Sequence, residues 1–109
     1  MPDGRVVLAV GPDRAAATRK VVSGIGMPDL KGRKVLVKPN FNTADPAPGS
    51  THIDTLRTMI ELIKGQEPRH VAIGDRSGPA KTTKVFQDKG VFELGEKMGV
   101  ECIVFDTMP

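Results

Sequence analysis

Lys31-Gly32-Arg33-Lys34-Val35-Leu36-Val37-Lys38-Pro39-Asn40-Phe41 is the stretch on which the fold turns. Its branched apolar centre is too short for a helix. It enters from a Lys-Gly-Arg turn and leaves through Lys-Pro-Asn, where proline removes a backbone donor and redirects the chain. His70-Val71-Ala72-Ile73 repeats the design and ends in Gly74-Asp75-Arg76-Ser77-Gly78. Short, nearly continuous apolar runs of this kind are how strands buried on both faces of a parallel sheet read.

Two more runs of the same character, at residues 5–10 and 101–105, bring the expected strands to four. Between the first two, Gly11-Pro12-Asp13 opens a helical segment that runs through Ala15, Ala16, Val21 and Val22 to Gly24. A second helix follows Ser50-Thr51-His52, with Thr51 placed to cap it and Asp54 three residues later. Its Ile53, Leu56, Ile60 and Ile63 form one stripe, and Gly65 ends it. The third connection breaks at Lys89-Gly90 into two short helices, residues 82–88 and 91–98, stopped by Gly99. Phe86, Phe92, Leu94 and Met98 are the residues expected to cover the sheet.

Strands alternating with helices predict an α/β fold: a three-layer, Rossmann-like or flavodoxin-like parallel sheet of about four strands. Residues 1–109 are read as a single α/β domain. The one long irregular connection, residues 42–50, carries Pro46, Pro48 and Gly49 and has the length of a functional loop.

Composition narrows the function classes. Sixteen Lys and Arg against thirteen Asp and Glu give a net charge of +3, and there is no Trp or Tyr and only four Phe. Basic residues without stacking aromatics point away from nucleic acid and towards an acidic small ligand. No apolar run has membrane-spanning length and the start has no signal-peptide layout, so the expected setting is cytoplasmic. The one cysteine, Cys102, falls short of any disulfide, zinc or iron–sulfur spacing and reads as a small buried hydrophobe.

In parallel α/β sheets ligands bind at the carboxyl ends of the strands, where the connecting loops open a crevice. Here those ends carry Lys38, Asn40, Asp75, Arg76, Ser77 and Gly78. Lys38 can hold a carboxylate or phosphate, act as a base if burial lowers its pKa, or pair with Asp75 across the strand ends. Asn40 can orient a ligand or stabilise the turn. A helix starting near Pro79 to Thr82 would turn free backbone N–H groups towards an anion, with Arg76, Ser77 and Lys81 adding charge and hydrogen bonds. The bland alternative is that Ser77 or Thr82 caps that helix. His52 is an acid–base candidate, while a lone histidine with one acidic neighbour makes a poor metal site, so no metal is expected. His70 opens a strand at the opposite end of the sheet and reads as structural. Neither Gly24-Ile25-Gly26 nor residues 74–82 meet the spacing of a nucleotide-binding loop.

The apolar strand running into Lys38-Pro39-Asn40-Phe41, Thr51-His52 opening a helix, and Gly74-Asp75-Arg76-Ser77-Gly78 together resemble the amino-terminal part of the prokaryotic family called domain of unknown function 362. The order and spacing agree from about Val6 to Phe105. The family has no settled activity. Many members sit beside ferredoxin-like iron–sulfur segments, so the resemblance implies part of a redox-linked enzyme, though this chain carries none of those cysteines. Family members run further and complete the site with a carboxyl-terminal half, so the chain is expected to be the amino-terminal portion of a longer domain. Its aspartate loop departs from the family's commoner Gly-Asp-Ser-Pro-Gly by the insertion of Arg76. The resemblance and the chemistry together nominate Lys38, Asp75 and His52 as catalytic, with Asn40, Thr51, Arg76, Ser77, Gly78 and Lys81 as ligand-binding. The expected partner is an anionic small molecule, with a non-catalytic binding module or a scaffold pairing through an open sheet edge as the alternatives.

Overall fold

The computed structural model describes residues 4–78 and 80–107. Among them three strands form one parallel sheet in the order β1-β2-β3: β1 is Lys34–Val37, β2 is His70–Asp75 and β3 is Glu101–Val104. Val35 pairs with Val71 and Val37 with Ile73, while Ile73 also faces Cys102 and Asp75 faces Val104. Four helices accompany the sheet: α1 (Arg14–Ile25), α2 (Ile53–Lys64), α3 (Thr82–Asp88) and α4 (Val91–Met98). The α/β class, the parallel pairing and the break of the third connection at Lys89-Gly90 all follow the sequence.

The core sits on one face of the sheet. Leu56, Ile60 and Ile63 of α2, Val85 and Phe86 of α3, and Val91 and Leu94 of α4 pack in one cluster with Val71 and Ile73, which alternate along β2. Each such side chain contributes about 1.5–3 kcal/mol on burial. With strands in sequential order and right-handed crossovers, α2 and the α3–α4 pair fall on the same side. On the other face, Ala72 and Gly74 are buried beneath partly exposed neighbours: a Cβ at Gly74 would lie 2.6 Å from the Phe105 ring and 3.0 Å from Leu36. Gly95 is equally committed, because a Cβ there would meet Cys102 Sγ at 2.7 Å and the Val100 carbonyl at 2.8 Å. Cys102 is half-buried, and burial pushes its thiol pKa up.

The expected first strand is not a strand. Residues 5–10 form no sheet pairing, and Val6, Leu8 and Val10 are 85%, 84% and 92% exposed. Val7 packs against the position of a Cβ at Gly24, so the segment lies along α1 while its alternate side chains face solvent. Apolar content specifies a strand only where a partner edge receives it, and residues 5–10 do not join the edge of β1, which is bonded to β2 on its other side. α1 has no fully buried residue and is tied to α2 through the Arg19–Glu61 ion pair. None of the helices among the described residues is long and apolar enough to cross a membrane.

Candidate functional site

Lys38 and Asp75 meet at the carboxyl ends of β1 and β2. Lys38 Nζ lies 2.9 Å from Asp75 Oδ1, with Asp75 1% exposed and the lysine side chain 62% exposed. Asp75 Oδ2 accepts the Phe41 backbone N–H at 2.9 Å. Oδ1 takes no aligned hydrogen bond among the described residues, so it is compensated by charge alone. A buried carboxylate in that state holds the ammonium close and leaves the lysine's outer face to solvent.

Phe41 is the hinge pin between the two strand ends. Its N–H goes to Asp75, its carbonyl accepts the Ser77 hydroxyl, and its ring is fully buried against Phe86. Ser77 is thus 5% exposed and spent on holding the loops together. Asn40 is exposed, and its backbone is clasped to Thr51: Asn40 N–H donates to Thr51 Oγ1 at 2.9 Å and Thr51 N–H donates to the Asn40 carbonyl at 2.9 Å. Thr51 therefore does not cap α2. That role belongs to His52, whose Nδ1 accepts the Asp54 N–H at 3.0 Å. His52 also lines a cleft of about 260 Å³ with Pro46, Asp88 and Lys89, apart from Lys38 and Asp75.

The loop after β2 holds an anion, and it is the chain's own. Thr82 Oγ1 accepts the Ser77 N–H at 2.8 Å and donates to the Asp106 carboxylate at 2.7 and 2.9 Å. The Thr82 hydroxyl bond, helped by the Thr82 and Asp106 backbone N–H groups and the charge of Arg76, holds the Asp106 carboxyl below its ordinary range. Pro79 lies outside the described residues. α3 begins at Thr82, as the sequence suggests, with exposed Lys81 as an N-cap that makes no side-chain bond. Arg76 and Gly78 are exposed on the same loop.

A depressed carboxyl stabilises the fold above its unfolded value of about 3.9 and loses that contribution as the pH falls through the lower folded value. Urea midpoints followed from about pH 5 to about pH 2 should fall more steeply for the natural chain than for Asp106→Asn. Parallel curves would show that the Thr82–Asp106 contact carries no stability.

Sequence reasoning missed Asp106 and Lys89, and offered Thr82 only as a helix cap, a place that Lys81 takes. Asp106 lies two residues beyond the end of β3, in the short turn of 3-10 helix at residues 105–107, so the strand-end rule could have found it. Lys89 donates to Ser50 Oγ at 2.8 Å, lies 5.5 Å from the Phe41 ring centroid, and has its pKa lowered by burial. Nothing local marks that role. Among the described residues no cluster of His, Cys, Asp and Glu is arranged to hold a metal.

A comparison with curated proteins found no match, and a comparison with solved structures found none either. A family model does match, over residues 35–109, the span that holds β1 from Val35 with its Lys-Pro-Asn exit, the α2 start and the Asp75 loop. The chain belongs to the family described as domain of unknown function, DUF362.

Proposed function

We propose that the chain supplies part of a small-molecule site in a redox-linked enzyme, where an anionic ligand sits at the carboxyl ends of β1 and β2. The Lys38–Asp75 pair carries this reading: a carboxylate sealed from water fixes a lysine whose outer face stays open. Asp75 is the positioning residue and Lys38 the charge that meets the ligand. Asn40, Arg76 and Lys81 are exposed donors on the segments that follow the two strands. Ser77 and Thr51 set the two loops, and His52 sets the start of α2. The redox linkage rests on the resemblance of these motifs to a family often accompanied by ferredoxin-like segments.

Thermal unfolding against a panel of phosphates, carboxylates and nucleotides tests the reading. A ligand at about a hundred times its dissociation constant adds roughly 2.7 kcal/mol to stability. That shift should vanish in Lys38→Ala and shrink with added salt. A site at Lys38 is refuted if every ligand that stabilises the natural chain stabilises Lys38→Ala equally.

A second reading draws on residues 5–10. Their unpaired backbone and exposed Val6, Leu8 and Val10 suit strand pairing with another copy of the chain. Sedimentation should then show a concentration-dependent dimer that Leu8→Asp converts to monomer; a monomer at every concentration removes this reading.

A further inference from the structure

A cleft of about 250 Å³ is lined by α2, the α3–α4 junction and α4. Arg57 of α2, Lys89 of the α3–α4 junction and Lys97 of α4 line it, with Glu93 as the one carboxylate and Ile53 and Leu94 as the apolar part. With Asp54 counted against Arg57 and Glu93 within the lining, Arg57, Lys89 and Lys97 still outnumber the carboxylates, and the surplus positive charge suits a phosphate group. Asp54 Oδ1 accepts from Arg57 Nη1 at 2.7 Å, which orients the guanidinium while leaving most of its five donors for a ligand. Lys89 is held by Ser50 Oγ and lies over Phe41, so its position is set before anything binds. Gly90 brings no side chain to the cleft, and a Cβ there would meet nothing within 4 Å, so a ligand has room to approach. Burial already lowers the Lys89 pKa, a cost that a bound anion would relieve.

We propose that this cleft binds a small organic phosphate, with Arg57, Lys89 and Lys97 on the phosphate and Ile53 and Leu94 against its apolar portion. Arg57 forks onto two phosphate oxygens, and the two lysines act as point charges. The cleft is separate from the Lys38–Asp75 pair and shares none of its residues.

The test is a nuclear magnetic resonance titration of the full chain with phenyl phosphate and, separately, inorganic phosphate. Phenyl phosphate should produce saturating shifts at the Gly90, Glu93 and Leu94 amides and bind more tightly than inorganic phosphate. Arg57→Ala and Lys97→Ala should each weaken it by about tenfold, the loss of one charge-assisted contact. Both residues are exposed, so unchanged spectra elsewhere will show that the variants keep the fold. Lys38→Ala should bind phenyl phosphate as the natural chain does, which separates this site from the strand-end one. Shifts that do not saturate, that fall on Arg76 and Lys81 instead, or that survive both variants would overturn the proposal. Equal affinity for the two phosphates would overturn the role of Ile53 and Leu94.

Discussion

Phe86→Ala should cost about 3–5 kcal/mol, a large share of the stability of the chain. Phe86 is fully buried, with its ring 5.9 Å from Phe41 in an edge-to-face arrangement and 5.5 Å from Phe92. Truncation removes both aromatic contacts and opens a void between α3 and the strand ends. A domain of this size has only about 5–15 kcal/mol of stability in total. At roughly 4–8 °C per kcal/mol, the melting temperature should fall by at least about 12 °C. Phe92→Ala, at a partly buried position on the rim of the same cluster, should cost distinctly less. Urea unfolding of the two variants checks the order; equal losses would mean that the core is not centred on the Phe41–Phe86 pair.

Asp75→Ala should be the next most damaging change, at about 2–4 kcal/mol. It strands the buried Phe41 N–H, which then has no acceptor, and it frees Lys38 from the strand end. Asp75→Asn retains an oxygen for Phe41 and nearly the same volume, so it should recover much of the stability without the charge. The largely exposed Lys38 side chain is what covers Asp75 Oδ1, so Lys38→Ala opens that oxygen to water, which replaces the ammonium, and should cost least. Urea midpoints that rise from Asp75→Ala through Asp75→Asn to Lys38→Ala are therefore the signature of a carboxylate that serves the main chain first and the lysine second. If Asp75→Asn is as unstable as Asp75→Ala, the charge outweighs the hydrogen bond and the assignment reverses.

Most of the architecture was legible because it is written locally. The β1, β2 and β3 runs, the stripe of α2 and the break at Lys89-Gly90 each depend on residues within a few positions of one another. Residues 5–10 mislead for the opposite reason: their composition is strand-like, but pairing is a property of a distant edge. The strand ends were readable as a polar cluster, and Lys38 and Asp75 do meet. Which of two adjacent polar residues caps α2 was not readable, because it depends on Thr51 being drawn back to Asn40. The Thr82–Asp106 contact was not legible, because Asp106 stands 24 residues beyond Thr82 and comes close only once β3 is in place.

The clasp between Asn40 and Thr51 has an evolutionary side. Its two hydrogen bonds close the chain at the neck, so the excursion beyond it is anchored without help from its own contents. The entropy of such a closed loop grows only with the logarithm of its length, by about 0.6 kcal/mol per doubling. Residues 42–49 can therefore lengthen, shorten or change composition while β1 and α2 keep their places, a segment where new specificity is cheap to try and the scaffold does not feel the trial.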